Sequence, residues 1–94
     1  MENETKMIFR KFEDGEIIAL MPELSHDCRG HYCESYMHIG QHGGADLQGV
    51  VAKTTLALPS EYADLQKELE TIGYHVRPVK RDHPIYRAVR RGDV

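Results

Sequence analysis

Apolar and polar positions alternate with the two-residue period of a strand at the start of the chain. Residues 7–12 (MIFRKF) and 17–21 (IIALM) flank Glu13-Asp14-Gly15-Glu16. Asp-Gly between two apolar runs predicts a β-hairpin with a two-residue type I′ turn, because both central positions of that turn need φ > 0. Such a turn sets Phe12 opposite Ile17, Arg10 opposite Ala19, and Ile8 opposite Met21. Both faces of the pair then carry apolar side chains, so the hairpin is expected inside a larger sheet or under cover on its second side. Pro22, with no N–H for a ladder, is expected to end the second strand.

Residues 47–58 (LQGVVAKTTLAL) read as a further strand by their β-branched content, with Val50, Ala52, Thr54, Leu56 and Leu58 on one face. The period then lengthens. Tyr62, Leu65, Leu69 and Ile72 fall at helical spacing, with Ser60 as N-cap, Glu61 and Asp64 in the first turn, and Gly73 as the stop. Gln66, Lys67, Glu68 and Glu70 are expected to face water. Residues 74–80 return as a strand, held to an edge by Pro78. Strand, helix and strand make a β-α-β unit with an expected right-handed crossover. In the basic tail, residues 82–94, Ile85 and Val89 suit a short helical turn. The predicted class is α+β: an N-terminal β-hairpin, a long irregular loop over residues 23–46, then β-α-β, with one helix packed on a mixed sheet of about four strands. One helix covers one face, so the other is expected to meet the long loop or a second copy of the chain.

Length changes this picture little: 94 residues make one domain, 1–94, with residues 1–5 expected to fray. The apolar fraction of 40% and charged fraction of 29% suit a soluble globular protein. No apolar run approaches the ~18 residues that a bilayer requires, so no membrane contact is expected. The acidic, polar start MENETKM does not read as a signal peptide, and the expected location is cytoplasmic. In that compartment Cys28 and Cys33 are free thiols or ligands rather than a disulfide. Charge is uneven: residues 1–74 carry 6 basic and 13 acidic side chains, or −7, and residues 75–94 carry 6 and 2, or +4. An acidic body argues against a nucleic-acid binder, which must neutralise phosphate over a surface.

Candidate chemistry concentrates in the loop. Cys28, His31, Cys33, His38 and His42 are five nitrogen or sulfur ligands within fifteen residues. Zinc takes four such groups in a tetrahedron, although this spacing matches no established finger or ribbon. Cys33 or Ser35 with His38 and Asp46 are the parts of a nucleophilic site, but nothing local enforces their assembly and no Gly-x-Ser-x-Gly elbow is present. The run from Gly40 through Gly43 and Gly44 to Asp46 allows backbone N–H groups to converge on an anion.

At SYMHIGQHG, residues 35–43, the chain resembles a group of small uncharacterised proteins of bacteriophages and bacterial mobile elements. The resemblance continues through IFRKFEDGEIIALMPEL and SEYADLQKELETIGY, and so spans residues 8–74. It implies a context and no activity: a phage- or mobile-element-encoded accessory protein that binds a host factor or forms a small homo-oligomer. The resulting expectation is a non-enzymatic binding module. Its surface is the 35–46 loop, with Tyr36 and His38 as anchors beside Gln41, His42, Gly43 and Asp46. The partner is a protein, a second copy or a small anionic ligand, and no cofactor is required. The alternatives are a zinc-binding protein using Cys28, His31, Cys33 and His38 or His42, and a small hydrolase-type enzyme using Cys33 or Ser35 with His38.

Overall fold

The computed structural model describes residues 4–27, 30–38 and 41–92. The predicted hairpin forms between β1 (Thr5–Lys11) and β2 (Ile17–Ser25). Its turn has three residues, not two. Phe12 N–H donates to Glu16 O at 2.8 Å and Gly15 N–H to Phe12 O at 2.9 Å, with Gly15 at φ 93°. A left-handed glycine in the third loop position is the usual way to close a three-residue hairpin. Asp14 Oδ1 accepts from Glu16 N–H at 3.0 Å and steadies it. The extra residue slips the expected register by one: Phe9 faces Ala19, Arg10 faces Ile18, and Lys11 faces Ile17. A one-residue slip redistributes side chains between the faces. Met7, Phe9, Ala19 and Met21 now share one core cluster, while Ile8, Ile18 and Leu20 share another on the opposite face.

Pro22 does not end β2. It lies buried within the strand, at the register shift between Met21 and Ser25. A bulge tolerates proline because one residue there needs no ladder donor. The continued strand pairs with β3 (Cys33–Tyr36), which pairs in turn with β4 (His42–Ala45). The expected irregular loop therefore holds a second hairpin. β3 ends at Tyr36, and Ile39 and Gly40 lie outside the described residues.

Residues 47–58 do not form one strand. Helix α1 (Leu47–Lys53) comes first, then β5 (Thr55–Leu56). A strand would place Val50 and Val51 on opposite faces. A helix puts Leu47, Val50 and Val51 together against Ile8, Ile18 and Leu20. Helix α2 (Pro59–Ile72) matches the periodic stripe, with Leu65 and Leu69 buried and Gly73 at φ 128° as its stop. It starts at Pro59, one residue before the expected cap. Leu58 is the N-cap, Glu61 Oε1 accepts from its N–H at 2.8 Å, and Ser60, expected as the cap, lies within the first turn. Ile72, at the expected end of the buried stripe, is 51% exposed.

β6 (Val76–Val79) pairs parallel with β1 along Thr5 to Ile8, and β5 pairs antiparallel with β1 at Arg10 and Lys11. Both lie on the β1 edge away from β2, so α2 connects two collinear pieces rather than two parallel neighbours. The expected crossover is not formed. The sheet has six strands, ordered β4-β3-β2-β1-β5 with β6 also on β1. The order makes β1 and β2 central. Thr5, expected to be frayed, is in β1 and donates to His75 O at 2.7 Å.

The tail forms α3 (Pro84–Arg91), capped by His83 Nδ1 accepting from Ile85 N–H at 3.1 Å and ended by Gly92 at φ 77°. It packs: Tyr86 is buried, with Lys6 Nζ 5.4 Å from its ring centre. Arg90 donates to Pro22 O at 2.6 Å and Gly30 O at 3.1 Å. The face opposite α2 is thus covered by α1 and α3, not by a loop or a second copy. The whole is an α+β fold.

Gly30 has φ 72°, and a Cβ there would lie 2.9 Å from Arg91 Cγ and 3.1 Å from the Arg90 carbonyl carbon. Gly15 also has positive φ, but open space around it. Gly30→Ala is expected to cost about 2–3 kcal/mol against about 1 kcal/mol for Gly15→Ala, since only the first adds a backbone clash to the conformational strain. Urea unfolding of both variants measures the difference, and equal losses would contradict this docking of α3.

Candidate functional site

The β2–β3–β4 pairing decides where the candidate residues point. Along β3, Cys33 belongs to the cluster under α1 and α3, while Tyr36 belongs to the cluster under α2. Ser35 is buried and donates its hydroxyl to Gly43 O at 3.0 Å. His38, just beyond β3, reaches α2: its Nδ1 is 2.8 Å from Glu68 Oε1. Tyr36 donates its hydroxyl to the other oxygen, Glu68 Oε2. One carboxylate therefore ties both expected anchors of the loop to the helix. His42 stacks edge-on against Tyr36, with ring centres 4.6 Å apart.

Beside this tie lies a groove of about 380 Å³ between α2, the β1–β2 turn and the β3–β4 turn. Ile17, Met37 and Leu65 supply its apolar lining, with His38 and Gln41 from the loop. Glu16, Glu61, Asp64 and Glu68 supply carboxylates. Glu61 also pairs with Lys11, and that hydrogen bond, helped by the Leu58 N–H, holds its carboxyl below the usual range. The carboxylates of α2 were legible as a stripe: Glu61, Asp64 and Glu68 recur at helical spacing beside Leu65. Glu68 was instead assigned to water, because its partners lie some thirty residues away in sequence.

The structure brings together Tyr36, His38, Gln41 and His42. Gly43 sits behind them in β4, bonded to Ser35, and Asp46 is elsewhere. Asp46 and His31 line a second cleft of about 440 Å³ with Asp82, His83 and Arg87 at the start of α3. The hydrolase set is therefore divided. Ser35 is buried and bonded to β4, Cys33 faces the α1–α3 side, and His38 faces α2, so neither nucleophile meets the imidazole. The zinc set is divided in the same way among Cys33, His31 and His38, while Cys28 lies outside the described residues. Among the described residues no group of three or more His, Cys, Asp or Glu side chains is placed to hold a metal ion. No helix among them is long and apolar enough to cross a membrane.

Burial pushes the Cys33 thiol up to about 11, with Arg90 partly offsetting and Asp82 adding to the shift. A thiol so placed is a packing group rather than a nucleophile.

Comparison with protein-family models, with curated proteins and with solved structures finds no match to this chain.

Three outcomes check this geometry. In a Cys28→Ser variant, Cys33 should resist Ellman's reagent at pH 8 and react only on unfolding in urea. The thiol's contribution to stability should be complete below pH 9.0 and fall away as pH rises towards about 11, because the fold disfavours its ionised form. Tyr36→Phe should lower stability by about 1 kcal/mol, the usual net worth of one such hydrogen bond. Denaturant unfolding reads that value, and no loss would mean that the phenol does not anchor on Glu68.

Proposed function

We propose that this chain is a small non-enzymatic binding protein whose contact surface is the groove between α2 and the β3–β4 turn. The observation that carries the reading is the shared carboxylate of Glu68. With Tyr36 on one oxygen and His38 on the other, the loop is held against α2 and the groove exists before any partner arrives. A preformed groove loses less conformational freedom on binding than a loop that must first be ordered. Its volume of about 380 Å³ lies within the range of small-molecule and side-chain pockets.

The hydrolase alternative gains nothing from this groove, since among the described residues its lining presents an imidazole with no serine or cysteine. The accessory role implied by the resemblance of residues 35–43 to phage and mobile-element proteins agrees with a binding surface built from that segment.

A fragment screen followed by 1H–15N correlation spectra tests the reading. Bound fragments should shift the amides of Ile17, Met37, His38, Gln41 and Leu65 together, and Gln41→Trp, which fills the groove mouth, should weaken those hits about fivefold or more. Shifts scattered over the surface, or gathered in the cleft at the start of α3, would sink it.

A further inference from the structure

The lining of the groove says more than that something binds there. Its floor is apolar, from Ile17, Met37 and Leu65, and its rim is acidic, from Glu16, Glu61, Asp64 and Glu68. Two of the four carboxylates are already engaged: Glu61 by Lys11 and Glu68 by Tyr36 and His38. Glu16 and Asp64 are exposed, and among the described residues neither side chain has an ion-pair partner. Neutralisation of the rim is therefore incomplete. An anion placed in this groove would face carboxylates across a partly apolar space, where repulsion is poorly screened. The small anionic ligand suggested by the glycines of residues 40–44, and a nucleic-acid phosphate, both fail on that ground.

Resting on the groove as the contact surface, we propose that its occupant is a basic, extended segment of a protein partner that inserts a lysine or arginine side chain. Such a side chain is an apolar shaft with a charged tip. The shaft lies over Ile17, Met37 and Leu65, and the tip meets Glu16 and Asp64. Lys11 sets a limit on the fit. Its ammonium already holds Glu61, so the carboxylates left for the incoming cation are those of Asp64 and Glu16. Complementary charge of this kind fixes partner choice and speeds encounter more than it adds affinity, so the interaction is expected to be salt-sensitive.

The test uses two capped pentapeptides that differ only at the centre: Ala-Leu-Lys-Leu-Ala, and the same peptide with norleucine in place of lysine. Each is titrated into the full chain while amide shifts are followed. The lysine peptide should shift the groove amides saturably and bind at least about fivefold more tightly than the norleucine peptide. The double variant Glu16→Gln, Asp64→Asn should weaken it about five- to tenfold, and 0.5 M salt should do the same. Both substituted positions are exposed, and a thermal melt confirms that the variant is folded. Equal binding of the two peptides at the groove overturns the cationic occupant while leaving the groove as the contact surface. Shifts confined to another part of the molecule, or none with either peptide, overturn the occupant; if the fragment hits also miss the groove, the contact surface falls with it.

Discussion

The constraint on which the fold depends is that β1 is buried on both faces. Met7, Ile8 and Phe9 are consecutive and all nearly inaccessible to water. In a strand, consecutive side chains point to opposite sides, so each side of the sheet must be covered. Helix α2 covers one, with Phe9 stacked on Tyr62 at 4.2 Å between ring centres. On the other, α1 brings Leu47, Val50 and Val51, and α3 brings Tyr86, whose ring lies beside Lys6 of β1. A chain of this length has little apolar surface to spare. It satisfies two faces by making helices of segments that would otherwise be a strand and a solvated tail. Arg10 reflects the same arrangement: it leaves β1 on the α1 side and donates to the carbonyls of Val51 and Thr54 at 3.0 and 2.6 Å, closing the end of that helix.

The second determinant is the bulge at Pro22. It lets β2 continue past a residue that cannot donate: β3 pairs with Ala19, Leu20 and Met21 before the bulge and, through Cys33, with Ser25 after it. Arg90 then spans Pro22 O and Gly30 O, joining the bulge, the loop behind it and α3. The chemical outcome follows from strand alternation. Because β3 is held flat in the sheet, Cys33 is assigned to one face and Tyr36 to the other. A loop could have gathered cysteine, serine and histidine at one point. The strand instead keeps Cys33 and Ser35 on one face, away from His38, which reaches α2.

What could be read from the chain, and what could not, divides along the range of the interactions. The first hairpin, α2, the Gly73 stop and the edge position of Pro78 all follow from signals within a few residues, and all are present. The hairpin register differs by one residue because the turn holds three residues, closed by Gly15 at positive φ, where Asp-Gly alone suits a turn of two. Val50, Val51, Thr54 and Thr55 suit a strand by propensity, yet the need to bury Leu47, Val50 and Val51 on one side makes α1. The packing of α3 rests on Arg90 and Pro22, 68 residues apart, and nothing local announces such a contact. The site was half visible for the same reason. Tyr36, His38 and Gln41 lie in a conspicuous segment, whereas Glu68 sits on a helix face that looks solvated until the sheet is assembled.

Glu68 is therefore more than one wall of a groove. Its two oxygens hold residues on either side of the β3 end, so the position of the β3–β4 turn is coupled to that of α2. Removing the carboxylate would take a hydrogen bond from the Tyr36 hydroxyl and the contact from His38 together, a loss that costs more away from water. The groove is consequently part of the packing of the domain rather than an appendage to it. On the proposed reading, a partner would meet walls already set by the sheet, and the remaining freedom would lie in the exposed carboxylates of Glu16 and Asp64. Those two side chains would then bear more on what the groove accepts than on the fold. Selectivity can thus change at them without disturbing the tie that keeps the groove open.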